Sequence, residues 1–145
     1  MRRLLVFLLV LPAGLLAGGC AESSKDRFIA DYQPLNDQLV KVNGELVETL
    51  NTPSSPGKLA DELTPLGGQL SRLSRQVSDL DTPEDLREES AAVSRSLART
   101  GAGADRTAAF AREADRRALV AATKALAADV NRLVRETKRL AEAAG

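Results

Sequence analysis

The chain has 145 residues, 20 basic and 20 acidic side chains, no histidine, no tryptophan and a single cysteine. Without histidine there is no imidazole general base, pH switch or imidazole metal ligand, and one cysteine makes neither an internal disulfide nor a thiolate zinc site. Balanced charge offers nothing to nucleic acid, and 43% hydrophobic against 28% charged residues is the composition of a folded domain.

Met1-Arg2-Arg3 opens the chain with positive charge, and Leu4 to Leu16 is an apolar run interrupted by Pro12 and Gly14. That run is shorter than the ~20 residues a membrane-spanning helix needs, and its N-terminal position marks a processed signal. Small residues Ala17-Gly18-Gly19 then lead to Cys20. This stretch resembles the lipobox of bacterial lipoproteins, with Ala17 in the place usually held by leucine and Leu16 one position further back. The resemblance implies that residues 1–19 are a cleaved signal peptide and that Cys20 becomes the lipidated first residue, carrying diacylglyceryl and palmitate-type chains. At ~0.8 kcal/mol per buried CH₂, two or three such chains make attachment effectively permanent. A lone cysteine in an exported chain calls for such an explanation; the alternative is an ordinary secreted protein cleaved near Ala17–Gly19. Ala21 after the cysteine implies the outer membrane if the host has two membranes, and otherwise the outer face of the cytoplasmic membrane. Loss of Arg2 and Arg3 leaves 18 basic against 20 acidic residues, a net charge of −2.

Residues 20–25 read as the lipidated cysteine and a polar tether of at most ~16 Å from Ala21 to Lys25, and residues 26–145 as one helical domain. Its first segment carries Phe28, Tyr32, Leu35, Leu39, Val42, Leu46 and Leu50 at four-three spacing, one stripe on a helix that Pro34 is expected to bend near Ala30. A Pro/Ser loop, Asn51 to Gly57, follows. The second segment repeats the spacing with Leu59, Leu63, Leu66, Leu70, Leu73, Val77 and Leu80, and a kink is expected at Pro65 and Gly67-Gly68 with the face kept. Asp81-Thr82-Pro83-Glu84-Asp85 punctuates the chain, with Thr82 suited to an N-cap, Pro83 to the first helical position, and the acids to the helix dipole. The third segment carries Leu86, Val93 and Leu97, then Ala104, Ala108, Phe110 and Ala111, with Thr100-Gly101-Ala102-Gly103 either a distortion or a break. The fourth, from about Asp115 to Ala144, sets Leu119, Leu126, Leu133 and Leu140 one heptad apart, flanked by Thr123, Val130, Val134 and Thr137.

Four segments of similar length joined by short connectors predict an all-α, up-down-up-down antiparallel four-helix bundle. The layout also resembles a loosely defined group of small helical lipoproteins of GC-rich Gram-positive bacteria, through Asp31-Tyr32-Gln33-Pro34, the Leu80-Pro83-Leu86 junction and the Ala-rich last helix. That resemblance implies no activity.

Bland readings take precedence for the remaining features. The heptad leucines form the bundle seam rather than a dimer zipper. Asp79, Asp81, Glu84, Asp85, Glu88 and Glu89 suit a helix N-terminus and a solvated face, with a weak Ca²⁺ or Mg²⁺ contact as the alternative. No cofactor and no catalytic residue is expected; the serines from Ser71 to Ser96 lack a base. Seven basic residues between Arg116 and Glu142 are expected to compensate an acidic first helix, and alternatively Arg135, Lys138 and Arg139 seat the domain on anionic headgroups. The functional expectation is a non-enzymatic envelope protein with a structural or protein-interaction domain, meeting an unidentified envelope partner through Thr52, Ser54, Ser55, Phe110, Arg116 and Arg117. The alternative is a carrier holding a small apolar ligand in a cavity near Phe110.

Overall fold

The computed structural model describes residues 23–52 and 54–145. The expected signal peptide, Cys20 and the start of the tether lie outside the described residues. Four helices account for most of what is described: α1 (Ser24–Asn51), α2 (Pro56–Ser78), α3 (Arg87–Arg112) and α4 (Arg116–Ala144), with a 3₁₀ turn at Glu84–Leu86 leading into α3. No described residue is in a strand.

The start of α1 is set locally. Ser23 accepts from the Asp26 backbone N–H at 3.1 Å, and the Asp26 carboxylate accepts from the Ser23 N–H at 3.3 Å, a reciprocal capping box. Ser24 and Lys25, assigned to the tether from sequence, therefore already belong to the helix. Both internal prolines leave their helices unbroken, because each faces solvent. Pro34 and Pro65 are exposed, and so are Ala30 and Asp61, so the carbonyls that lose their usual donor belong to residues on the solvent side. The buried face keeps its phase past each proline, through Leu35, Leu39, Val42 and Leu46 on α1 and Leu66, Leu70, Leu73 and Val77 on α2.

Two helix starts reverse the sequence expectation. Thr82 does not cap α3: Pro83 is extended (φ −54°, ψ 151°), and the Thr82 hydroxyl donates back to the Leu80 carbonyl at 3.2 Å. With ψ near 150° the chain cannot start an α-helix at Pro83, so it tightens through the 3₁₀ turn first. The cap-then-proline pattern operates at α2 instead, where Ser55 accepts from Lys58 N–H at 3.4 Å and Pro56 takes the first helical position. The loop read from Asn51 to Gly57 shrinks accordingly.

Thr100 to Gly103 is helical, so α3 is continuous. A Cβ at Gly101 would stand 2.8 Å from Ser71 Oγ and 3.0 Å from the Gly67 carbonyl, while one at Gly67 would collide with the Asp105 carboxylate and lie 3.1 Å from the Gly101 carbonyl. The glycines are thus where α2 and α3 touch backbone to backbone. Beside them Ser74 Oγ donates to the Ser94 carbonyl at 2.8 Å, and Ser94 Oγ donates to the Ser74 carbonyl at 2.9 Å. Arg112 donates to Thr64 Oγ1 at 2.7 Å further along the same pair.

Helix packing joins α1 to α2, α2 to α3, α3 to α4 and α4 back to α1 around one apolar core. Leu46, Leu63, Leu70, Leu97, Leu126 and Leu133 are at its centre. Of the heptad row on α4, Leu126, Leu133 and Leu140 are buried and Leu119 packs at the margin. Val134, by contrast, is 51% exposed, and Val120 and Val40 are also largely exposed.

Candidate functional site

The residues proposed from sequence to meet a partner fall on two connections. Thr52 and Ser55 are exposed and Ser54 is half-buried, on the short link from α1 to α2. Arg116 and Arg117 are exposed on the first turn of α4, and Phe110 is half-buried near the end of α3. Ser55 is occupied in capping α2, while the Thr52 and Ser54 hydroxyls make no hydrogen bond among the described residues. No hydrogen bond or ion pair joins the two connections among the described residues, although the Arg112–Thr64 bond brings the end of α3 against the first half of α2.

The α3–α4 turn has a built geometry. Asp115 N–H donates to the Phe110 carbonyl at 3.2 Å and Ala114 N–H to the Ala111 carbonyl at 3.3 Å, the paired bonds of a Schellman helix end. That motif needs a left-handed residue, and here it is Ala114 (φ 55°), the single non-glycine residue with positive φ among those described. A Cβ there is strained by roughly 1 kcal/mol. Asp115 then serves twice, since its carboxylate accepts from Ala118 N–H at 2.9 Å and caps α4.

The acidic junction shows no metal geometry: among the described residues no group of three or more acidic, histidine or cysteine side chains converges on a point. Glu84, Asp85, Glu88 and Glu89 lie in first turns, where the helix dipole favours them. Among the described residues, the expected charge compensation between α1 and α4 includes no ion pair between the two helices. The ion pairs found, Lys58–Glu62, Lys138–Glu142 and Arg139–Glu136, each lie within one helix, and α1 reaches α4 through Lys25 Nζ donating to the Ala143 carbonyl at 3.1 Å. Two of the three cations considered for headgroup contact, Lys138 and Arg139, are therefore already paired in their own helix.

The aromatic residues do not meet as a group. Phe28 and Tyr32 stack with ring centroids 5.7 Å apart, on the α1–α4 seam, away from Phe110 at the end of α3. Beside them is an apolar hollow of about 50 Å³, lined in part by Ile29, Leu140, Ala141 and Ala144. It lies at the start of α1 rather than near Phe110, where a cavity was expected from sequence. Ligand sites for small molecules run to roughly 300–1,000 Å³, so this hollow has room for little more than a side chain. The Tyr32 hydroxyl is buried there without a hydrogen-bond partner among the described residues. Burial pushes its pKa up to about 12; the neighbouring Thr137 hydroxyl pulls the other way, but its own proton goes to the Leu133 carbonyl and it closes no well-formed bond with Tyr32.

Sequence reasoning passed over a larger feature. A groove of about 340 Å³ runs between α1 and α2, with Gln38 and Lys41 on one wall, Gln69, Arg72 and Gln76 on the other, and Val42 and Leu73 in the floor. The signal was present in the pattern, because each of these polar residues immediately precedes a stripe residue (Leu39, Val42, Leu70, Leu73 and Val77) and so flanks the core on one side of its helix. What no pattern states is that the two flanks face each other.

Compared with known protein families, curated proteins and solved structures, the chain gives no match in any of the three. Its own residues and geometry are what any functional reading has to rest on.

Proposed function

We propose that this chain is a lipid-anchored protein of the bacterial cell envelope, whose bundle serves a non-enzymatic structural or protein-interaction role outside the membrane. The observation that carries the reading is the junction at the N-terminus. A positive, apolar and small-residue run ends at Cys20, and three residues later Ser23 caps the first helix of a folded domain. In this reading cleavage before Cys20 removes nothing from the folded domain, whose first helix cap is three residues further on. No described helix is long and apolar enough to cross a membrane, so the lipid on Cys20 is the anchor in this reading.

The bundle is read as up-down-up-down. The pairings Thr64 with Arg112 and Ser74 with Ser94 on the successive helices α2 and α3, and Lys25 with Ala143 on the first and last helices, support it, since each joins positions that an antiparallel arrangement would bring level. In that arrangement the Thr52–Ser55 link and the Glu113–Asp115 turn lie at the end away from the anchor, and Thr52, Ser54, Phe110, Arg116 and Arg117 are what an envelope partner meets first. For the alternative of a carrier for an apolar ligand, the apolar hollow beside Tyr32, about 50 Å³, is too small to hold one.

Detergent phase partitioning of the protein from its host tests the anchor. Wild type is expected in the detergent phase, and Cys20→Ser is expected to accumulate as unprocessed precursor. Mature wild-type protein in the aqueous phase would overturn the reading.

A further inference from the structure

We propose that the groove between α1 and α2 binds a phosphate carried on a hydroxyl-rich scaffold, a sugar or polyol phosphate. Its walls present two cations, Lys41 and Arg72, and three amides, Gln38, Gln69 and Gln76, and no carboxylate lines it. None of the five makes a side-chain hydrogen bond or ion pair among the described residues. Lys41 has acids one turn away on both sides, Asp37 and Glu45, at spacings that commonly pair on a helix. It pairs with neither, and Asp37 instead accepts from Gln33 at 3.0 Å. The Arg72 guanidinium lies over Gly68 one turn back on its own helix, 3.8 Å from where a Cβ would be, an ordinary contact distance.

Each component has a chemical counterpart in such a ligand. A guanidinium and an ammonium facing an acid-free groove suit an oxyanion, with arginine able to engage two oxygens at once. Amide side chains both donate and accept, and so match hydroxyl groups, which do the same. The apolar floor of Val42 and Leu73 suits the C–H face of a ring. A volume of about 340 Å³ is in the range of small-molecule sites, unlike the hollow beside Tyr32. The inference goes beyond the interaction reading above, since the groove shares no residue with the positions given to an envelope partner, and rests on that reading only for where the ligand would be met.

The test is calorimetric titration of the full protein, purified in neutral detergent, with glucose 6-phosphate, glucose and inorganic phosphate. Glucose 6-phosphate is expected to bind at least tenfold more tightly than either half. Lys41→Gln with Arg72→Gln is expected to weaken it at least tenfold. Gln69→Ala with Gln76→Ala is expected to weaken it several-fold while leaving inorganic phosphate unchanged. All four positions are on the surface of the groove, and unchanged circular dichroism checks that the variants fold. Absence of saturable binding up to about 50 mM overturns the proposal, as does binding that both variants leave intact, or inorganic phosphate binding as well as the sugar phosphate. Doping the micelles with phosphatidylglycerol separates the sources of the chemistry: displacement of glucose 6-phosphate assigns the groove to a lipid headgroup, and no displacement assigns it to a free sugar phosphate. Phase partitioning reads the anchor without reference to binding, so failure of either idea leaves the other standing.

Discussion

The α2–α3 pair and helix α1 are held by different physics. Between α2 and α3 the glycines bring backbones together, two serines exchange hydrogen bonds with each other's carbonyls, and Arg112 ties the far end. Helix α1 buries larger side chains, Phe28, Leu35, Leu39, Val42 and Leu46, yet its direct hydrogen bond to another helix is Lys25 to Ala143. The polar groove and the Tyr32 hollow both border α1. Large apolar stripes hold a helix through non-directional burial and keep its axis at a distance. Small residues allow approach close enough for directional bonds. The strength of an apolar stripe therefore does not reveal which helices pack closest.

Core truncation is the most forceful way to probe that difference. Leu70 on α2 and Leu46 on α1 are both 0% exposed. Leu70→Ala is expected to cost about 4 kcal/mol and Leu46→Ala about 2–3 kcal/mol, because the surroundings of α1 can collapse into the gap more readily. Denaturant unfolding measures both, and equal losses would break the comparison. Native-state hydrogen exchange should agree, with α1 amides opening at lower free energy than those of α2 and α3.

Tyr32 tests the α1–α4 seam through pH. It is the sole tyrosine and there is no tryptophan, so ultraviolet titration reads it without overlap. The midpoint is expected at about 12 in the folded protein and at the ordinary value of 10.0 once unfolded. Because the unfolded chain releases its proton first, stability is full below pH 10 and falls as pH rises from there through 12. The loss attributable to this group is about 2–3 kcal/mol. Tyr32→Phe should remove that part of the alkaline loss and be neutral or mildly stabilising at pH 7, since no hydrogen bond disappears. A folded midpoint near 10 would mean the seam is open to water.

Glycine substitutions should act with opposite sign in the two regions. Gly101→Ala is expected to destabilise by about 2 kcal/mol, as a methyl group at the contact with Gly67 outweighs the gain in helix propensity. At Gly44 on α1, an added methyl group would meet nothing within 4 Å, so Gly44→Ala should stabilise by about 0.5–1 kcal/mol. Thermal melts of the pair decide it; stabilisation by both would show that the backbones of α2 and α3 are not in contact. A third change, Ala114→Gly, should stabilise by about 1 kcal/mol by relieving the left-handed strain in the α3–α4 turn.

The smallest expected contrast is at the caps. Ser55→Ala should cost about 1 kcal/mol because it removes the acceptor for Lys58 N–H. Thr82→Ala should cost less, about 0.5 kcal/mol, since its hydroxyl meets the Leu80 carbonyl and, at a long 3.4 Å, the Ser90 hydroxyl, and accepts from no helix N–H. Reversal of that order would return Thr82 to the capping role its position before Pro83 suggests.

Four apolar stripes at 3.6-residue period were enough, by themselves, to determine four helices, their buried faces and the persistence of those faces through Pro34 and Pro65. Periodicity reports which side of a helix avoids water, and a proline on the opposite side does not disturb it. The absence of histidine and the single cysteine likewise bounded the chemistry without any structure. Tertiary structure decided what depends on two segments meeting. It made Gly101 a contact where the pattern left a break open, and it joined Ser74 to Ser94, residues that read as ordinary polar positions. It moved the helix-start signal from Thr82-Pro83 to Ser55-Pro56, because the same two residue types cap or turn according to the path the neighbouring helices impose. It set Phe110 apart from Phe28 and Tyr32, and it turned two polar flanks on separate helices into the walls of one groove. A periodic pattern carries the orientation of one helix about its own axis; the distance and facing of a second helix are set by packing, which depends on side chains from both.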